Sequence, residues 1–477
     1  MTRLLGIFVL AVALGCGGYW AYKNLRPVPL TARVYTDYSF RLQHSNWPEV
    51  VDARFHNAAR IFEQSNTAIQ WKLLASNEVD PTGNVATLDG RRSVLLQQGG
   101  SGDVLIVMTG VKDGERLNSV NPFTRSVIVV DYPDRSETAN TLILAQALAR
   151  LFAAPVDLNW VQSSSSQSVD SIRFPANAVA VIHDLHRYPF ASGIDGLLQG
   201  SWAKKAVSTL TQHDVPKTGN AEAHAQQVVG ISLLNERRRD AAVEHLRQAS
   251  KLDPNSVALH VETALALSRN GEDQDAIKEL QQALKIEPNN AGLHQSLASI
   301  YVKLRRTEDA IDEVNAALKI EPRSATSQIV LASALSQQIG HFDAVAKALN
   351  EALAIDPNSA AARRDLEQLA RNREAISDEI QNLHERLQKV PGDANAHYRL
   401  GIAIARTGDL QGGLKELQKS IELSPKYGPA YSETAEIEYE LGDYAAAWRE
   451  VKQARATGTE PPAGFLTGLS KKMPQPQ

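Results

Sequence analysis

The C-terminal half of the chain repeats one pattern of apolar and polar positions with a period of about 34 residues. Each period ends in a largely apolar stretch followed by a proline, as in "ALKIEPN" and "ALAIDPN". The prolines at this position are Pro254, Pro288, Pro322, Pro357, Pro391 and Pro425. Because proline cannot continue a helix, the pattern predicts helical units that end at each proline and stack on their neighbours.

Small residues recur at three fixed positions within these periods. They are Gly230, Ala264, Ala298, Ala332, Gly401 and Ala435 at the first position, Ala242, Ala276, Ala310 and Ala447 at the second, and Ala249, Ala283, Ala317, Ala352 and Ala454 at the third. Two helices approach closely only where such small side chains meet. The pattern resembles the tetratricopeptide repeat, a helix–turn–helix unit of about 34 residues.

The resemblance implies an all-α solenoid with a concave groove. We expect about seven units between residues 220 and 458, followed by a capping or tail segment over residues 459–477. The fifth unit carries charged residues such as Glu367 at positions that are small in the other units. We expect a divergent repeat there, and one long linker helix is the alternative.

Repeats of this family bind proteins or extended peptides, so the resemblance implies such a partner and no cofactor. From the repeat positions we expect the groove to be lined by Gln227, Ile231, Val261, Gln295, Ser299, Ile329, Arg364, Gln368, Arg371, Tyr398, Arg406, Glu436 and Tyr439. Arg364 and Arg371 belong to a basic stretch and Glu436 to an acidic one, which favours a groove of divided charge. A solvated helix surface is the alternative.

Residues 28–200 show a different pattern, in which short apolar runs alternate with helical periodicity. Strands are predicted at 32–37, 68–75, 103–110 and 126–133, and helices at 45–66, 136–155 and 174–190. This order predicts an α/β domain, and residues 201–219 read as a linker to the repeats.

The second long helix contains "QALARLFAAPV", and its place after the strands is similar to that of the active-site helix in metzincin-like zinc peptidases. Their signature is H-E-x-x-H-x-x-G-x-x-H, which places two His ligands and a catalytic Glu on one helix. Gln146 and Arg150 stand at the positions of the two helix ligands, Ala147 at that of the Glu, and Val156 at that of the third His. The resemblance therefore implies a degenerate, non-catalytic domain without metal. An unrelated α/β domain is the alternative.

A metal site could also have been rebuilt from other residues. His183 and His186 lie three residues apart on a predicted helix, a spacing that can hold a metal, although no third ligand is evident. An ordinary pair of surface histidines is the other interpretation.

Residues 1–27 form a targeting or anchoring segment. The stretch Leu4–Tyr22 carries no charged side chain and is about long enough to span a bilayer as a helix. We expect a single-pass anchor with the rest of the chain outside the cytoplasm, or alternatively a lipoprotein lipidated at Cys16, the single cysteine. The 22% charged fraction and net charge of −4 are those of a globular protein and give no indication of nucleic-acid binding.

Together these features predict a membrane-anchored, non-catalytic adaptor of the bacterial envelope, in which the repeats bind a protein partner. One alternative is a metallopeptidase with a rebuilt metal site and a repeat arm that delivers substrate. Another is a purely structural member of an envelope assembly.

Overall fold

The chain forms two compact units, Met1–Ala266 and Leu267–Gln477. The computed structural model describes residues 27–78, 102–110, 118–131, 134–213 and 220–476.

A five-stranded sheet forms the core of unit 1. Its strands are β1 (Val28–Thr36), β2 (Ile69–Glu78), β3 (Val104–Thr109), β4 (Asn118–Val120) and β5 (Ser126–Val130). The strand order is β2-β1-β3-β5-β4, with parallel neighbours except for β4, which pairs antiparallel with β5 at one edge. Strands β3 and β5 are buried along their whole length, as continuous apolar runs require in a parallel sheet.

Helices cover this sheet and lead into the first repeat. They are α1 (Tyr38–Gln43), α2 (Trp47–Gln64), α3 (Glu137–Arg150), α4 (Leu158–Ser164), α5 (Ala176–Leu185), α6 (Trp202–His213), α7 (Ala221–Asn235) and α8 (Arg239–Leu252). Ser136 caps the start of α3, because its side chain accepts a hydrogen bond from the Ala139 N–H group. Residues 139–149 of α3 are all buried, so this helix lies inside the unit.

The predicted α/β architecture of this part is confirmed, with all four predicted strands and all three predicted helices present. Sequence reasoning missed β4, because the three residues "NSV" are too short to show an alternating pattern.

The first repeat, α7 and α8, is part of unit 1. Arg238 donates two hydrogen bonds to Asp195, Nε to Oδ1 at 2.6 Å and Nη2 to Oδ2 at 2.8 Å. Asn121 Nδ2 donates to the backbone oxygen of Ser232 at 3.0 Å. Helix α6 lies within the segment expected to link the domains, and residues 214–219 of that segment lie outside the described residues.

Helical repeats form unit 2. After α9 (Val257–Asn270), in which the division between the units falls, the helices are α10 (Asp273–Ile286), α11 (Ala291–Lys303), α12 (Thr307–Ile320), α13 (Ala325–Leu335), α14 (Phe342–Ile355), α15 (Ala360–Lys389), α16 (Ala394–Arg406), α17 (Leu410–Leu423), α18 (Gly428–Glu440), α19 (Tyr444–Ala456) and α20 (Ala463–Lys472). A Cβ on Gly401 would lie 2.8 Å from the Gly413 carbonyl oxygen, so α16 and α17 cross where the sequence predicted a small residue.

The fifth unit differs from the expected helix–turn–helix. Residues Ala360–Lys389 form one continuous helix of 30 residues, α15, so the alternative of a long helix holds here. Its first part packs against α14 through Ala362, Leu366 and Leu369, and its last part packs against α16 through Leu383. The charged stretch around Arg371 and Glu374 suits a helix but provides no glycine or proline that would make a turn.

The predicted single-pass membrane localisation is contradicted. Among the residues that the structure describes, no helix is both long and apolar enough to cross a membrane. The longest ones, α2 and α15, carry charged side chains along their length. Residues 1–26, which include Leu4–Tyr22 and Cys16, lie outside the described residues.

Candidate functional site

Polar and aromatic side chains occupy the predicted groove positions on the first helices of the repeats in unit 2. Gln295 on α11 donates to Ser324 Oγ at 2.9 Å and to Ser327 Oγ at 2.7 Å, so its amide joins two successive repeats. Tyr398 on α16 packs edge-on against Tyr427, with ring centroids 5.0 Å apart. Burial raises the pKa of Tyr398 to about 12, so its hydroxyl stays protonated at neutral pH.

The two predicted arginines, Arg364 and Arg371, lie on the long helix α15. Both are exposed. Arg371 Nη2 donates to Gln368 Oε1 at 2.9 Å, and its Nη1 lies 4.0 Å from Glu367 Oε2 on the same helix. Contacts along one exposed helix hold a guanidinium only weakly, so Arg371 keeps most of its capacity to pair with a partner.

The acidic groove positions belong to α18, where Glu433 and Glu436 are largely withdrawn from water. Burial raises the pKa of Glu433, against the opposing effect of the Arg406 charge. Burial and then repulsion from Glu433 and Glu440 raise the pKa of Glu436 to about 8, with Arg305 opposing the shift. Glu436 is therefore mostly protonated at neutral pH and ionises more readily when a cation comes close.

Two further predicted groove residues, Gln227 and Ile231, lie on α7 in unit 1. Gln227 Nε2 donates to Glu262 Oε2 at 2.7 Å. Burial raises the pKa of Glu262, although this hydrogen bond opposes the shift. Ile231 is half-buried.

A cavity of about 90 Å³ lies next to Glu436 and Tyr439, inside unit 2. Its wall comes from the third, fourth and seventh repeats and from α20, through Arg305, Thr307, Glu308, Gln337, Gln338, Ile339, Glu436, Tyr439, Glu440, Pro462, Gly464, Phe465 and Gly468. Tyr439 is 9% exposed, and its hydroxyl lies beside Glu308 but makes no hydrogen bond of normal geometry with a described residue. Two of the predicted groove residues thus face a common cavity, whereas Arg364 and Arg371 are not part of it.

Helix α20 meets the beginning of α12 beside this cavity. Lys471 Nζ pairs with Asp309 and lies 3.9 Å from Asp312 Oδ2, and Lys472 Nζ lies 3.6 Å from Glu308 Oε2. Burial opposes ionisation of Asp309, but hydrogen bonds from Lys471 and Arg306 outweigh it and lower the pKa of Asp309. Sequence reasoning missed this contact. The available signals were two adjacent lysines after a Gly-x-x-x-Gly spacing in the tail, and an acidic first turn in α12.

A second long-range contact joins the fourth and seventh repeats. His341 Nε2 and Glu440 Oε2 are 2.9 Å apart. The hydrogen bond to Glu440 raises the pKa of His341, against the effect of burial. This contact lies at the same cavity, because Glu440 is one of its wall residues.

In unit 1, three of the four residues compared with the zinc-peptidase signature lie in the last part of α3, and the fourth, Val156, lies in the loop after it. Gln146 Nε2 donates to the Val156 backbone oxygen at 3.0 Å, and Gln146 Oε1 accepts from Asn118 Nδ2 on β4 at 3.2 Å. Ala147 is fully buried, and Arg150 is exposed. The amide of Gln146 thus joins helix, edge strand and loop by hydrogen bonds.

The alternative metal pair, His183 and His186, lies at the end of α5 with ring centroids 5.5 Å apart. Burial lowers the pKa of His186, and its Nδ1 lies against the His183 backbone oxygen. Across the described ranges no group of three or more His, Cys, Asp or Glu side chains is close enough to hold a metal ion.

Unit 1 also contains a buried ionic cluster that the sequence pattern did not predict. Arg54 Nη1 donates to Asp131 Oδ1 at 2.6 Å, and His44 Nε2 lies 2.6 Å from Asp131 Oδ2. Arg54 also donates from Nη2 to Glu137 Oε2 at 2.9 Å. The cluster ties the end of β5 to α2 and to the start of α3.

Two family models described as tetratricopeptide repeat match the chain, one over residues 269–334 and the other over residues 230–291 and 358–428. No protein in a search of curated sequences matches it.

Solved structures of repeat proteins are similar over about half of the chain. MamA from Desulfovibrio magneticus is 16% identical, covers 43% of this chain and 96% of its own, and has a TM-score of 0.27. A tetratricopeptide repeat protein from Parabacteroides merdae is 17% identical, with coverages of 52% and 98% and a TM-score of 0.29. YrrB, described as having an unusual peptide-binding site, is 16% identical, with coverages of 44% and 89% and a TM-score of 0.26. The family models and the successive helix pairs together identify the C-terminal half of the chain as tetratricopeptide repeats.

Proposed function

We propose that this protein is a non-catalytic adaptor that binds a segment of a partner protein on the concave surface of its repeats. The observation that carries the proposal is the lining of this surface in unit 2. Gln295 and Tyr398 occupy equivalent positions in two repeats, and Glu436 lies one helical turn further along the first helix of a third repeat; they contribute amide, aromatic and acidic groups. Such a set of varied polar groups on a rigid scaffold is suited to recognition of a peptide rather than to catalysis.

The partner contacts that we propose are those that the repeat pattern indicated. They are Gln295, Arg364, Arg371, Tyr398, Arg406, Glu436 and Tyr439 in unit 2, with Gln227 and Ile231 in unit 1. The exposed arginines of α15 would bind acidic groups of the partner, and the carboxyl groups of α18 would bind basic ones.

The α/β part of unit 1 is proposed to be an inactive peptidase-like domain. The hydrogen bonds of Gln146 to Val156 and Asn118 support this proposal, because an amide engaged on both sides is not available to bind a metal. A carboxylate that could activate water is also missing at Ala147.

Site-specific photo-crosslinking in the source cells tests the adaptor proposal. A photoreactive amino acid replaces Arg406, a predicted groove residue, or Lys319, an exposed residue on the second helix of the third repeat. We expect the Arg406 variant to capture one protein through a single segment, and the Lys319 variant to give no such product. Identical products from both positions would contradict binding on the concave surface.

Charge reversal then tests the arginines. The double variant Arg364→Glu/Arg371→Glu is expected to weaken capture of the same protein at least tenfold, and Lys415→Glu/Lys419→Glu on α17 serves as the charge-matched control. Undiminished capture by the arginine variant would remove Arg364 and Arg371 from the site.

A further inference from the structure

The contacts of α20 differ sharply on its two sides. One side is apolar and packs on the seventh repeat, where Leu469 is fully buried and Phe465 packs edge-on against Tyr439. The other side meets the third repeat through two lysines and two glycines. The apolar packing is the stronger of the two contacts, because ion pairs made by half-exposed lysines contribute less and are sensitive to salt.

The glycines allow the close approach on the polar side. A Cβ on Gly464 would overlap the carbonyl oxygen of Arg305, and a Cβ on Gly468 would lie 3.2 Å from Glu308 Cγ. Alanine at position 464 would favour the helix itself, since alanine is the better helix former. Gly464→Ala would therefore destabilise the contact between α20 and the third repeat and not α20 itself.

The surface beneath the lysines is acidic, with Glu308, Asp309 and Asp312 on the first turns of α12. Beside it the cavity contains Glu436 and the Tyr439 hydroxyl, which is buried without a hydrogen bond of normal geometry. A buried polar group of this kind indicates a place for a further hydrogen-bonding or cationic group. Lys471 and Lys472 show that this acidic surface binds ammonium groups.

We infer that α20 is an internal occupant of the concave surface, and that a basic helical segment of a partner protein, with adjacent lysines following small residues, replaces it there. This inference rests on the proposed adaptor function and names the class of partner. When the segment binds, Glu308 and Asp309 exchange Lys472 and Lys471 for the lysines of the partner. The seventh repeat and α20 keep their apolar packing with each other and move away from the third repeat together.

The first measurement asks whether α20 separates. In the full chain with Cys16→Ser, spin labels are placed on cysteines at Asn315 and Ser470, which are exposed residues of α12 and α20. We expect one short distance in the unaltered sequence, and a second, longer distance in Gly464→Ala and in Lys471→Glu/Lys472→Glu. The control Lys415→Glu/Lys419→Glu is expected to keep the short distance. A single short distance in both opening variants would overturn the inference.

The second measurement asks what the uncovered surface binds. The probe is a labelled peptide with the sequence of residues 460–476, and its control has glutamate at both lysine positions. We expect Gly464→Ala to bind the probe at least tenfold more tightly than the unaltered chain does, and to ignore the control peptide. Adding Glu308→Gln/Asp309→Asn to Gly464→Ala is expected to reduce binding about tenfold.

Equal binding by the unaltered and opened chains, or binding that ignores Glu308 and Asp309, would overturn the inference. Either result leaves the adaptor proposal open, because that proposal is decided by crosslinking at Arg406. The opposite combination is no crosslinked product at Arg406 together with tight binding of the probe. It would reject the proposed partner surface and still support the exchange of α20.

Discussion

The buried pair of Arg54 and Asp131 makes a quantitative prediction about unit 1. Arg54 is 2% exposed and Asp131 is 1% exposed, and their closest atoms are 2.6 Å apart. Replacing either member removes one charge and leaves the other in a site with almost no access to water. The perturbations are Asp131→Asn and Arg54→Met, which keep the approximate size of each side chain.

Breaking a buried ion pair in this way costs about 3–5 kcal/mol of unfolding free energy. Each remaining charge keeps a second partner, because Glu137 still accepts from Arg54 and His44 still contacts Asp131. Glu137 is mostly exposed, so its compensation is partial. We therefore expect about 3 kcal/mol for each single variant, at the lower end of the range. In a unit of this size that corresponds to a decrease in Tm of roughly 6–12 °C.

The double variant Arg54→Met/Asp131→Asn distinguishes this reasoning from simple loss of packing. It leaves no unpaired buried charge, so its cost should fall at least 1 kcal/mol or so below the sum of the two single costs. The control is Arg60→Met on the same helix, whose pair with Asp170 is exposed and should contribute only about 0–1 kcal/mol.

Urea unfolding followed by tryptophan fluorescence measures these costs. Trp47, Trp71, Trp160 and Trp202 lie in unit 1, and Trp448 is the single tryptophan after residue 266, so the signal reports mainly on unit 1. Additive single costs, or an Arg54→Met cost no larger than that of Arg60→Met, would refute the assignment of a buried, charge-coupled pair.

Three further predictions concern unit 2 and the metal question. The folded chain raises the pKa of Glu436 from 4.5 to about 8, so its contribution to stability is present below pH 4.5 and is lost as the pH rises to about 8. Urea midpoints of unit 2, followed by hydrogen exchange of its peptides with mass spectrometry, should fall less over this range in Glu436→Gln, and parallel profiles would contradict the shift. Gly401→Val forces a side chain against the Gly413 carbonyl and should cost about 1–3 kcal/mol, whereas Gly392→Ala, which has open space around it, should stay within about 0.5 kcal/mol in the same assay. A purified fragment of residues 28–477, exposed to zinc and desalted, should retain no stoichiometric metal by mass spectrometry; about one zinc per chain, lost in His183→Ala or His186→Ala, would favour the metallopeptidase instead.

The repeats and the sheet could be predicted because their signals are local. Prolines spaced by about 34 residues and small residues at crossing points reflect contacts within one unit and between neighbours. The strands β3 and β5 are similarly visible as apolar runs that fill the interior of the sheet.

Contacts between distant parts of the chain had no such signal. Lys471 and Asp309 are 162 residues apart, and His341 and Glu440 are 99 residues apart. In the sequence each is an ordinary charged residue on a helix, where the usual interpretation is exposure to solvent. The same holds for Arg54 and Asp131, because only the folded sheet brings a residue of α2 to the end of β5.

The long helix of the fifth unit explains why unit 2 has these distant contacts. A complete helix–turn–helix at residues 360–389 would place two helices between the fourth and sixth repeats. With α15 as a single helix, the turn between α13 and α14 meets the sixth repeat directly. A Cβ on Gly340 would lie 2.9 Å from Leu410 and 3.3 Å from the Ala405 carbonyl oxygen. The neighbouring His341 then reaches Glu440 on the seventh repeat. The charged residues that made this unit look degenerate are thus part of one continuous helix. With this helix in place of a full repeat, the fourth, sixth and seventh repeats come into contact near the cavity.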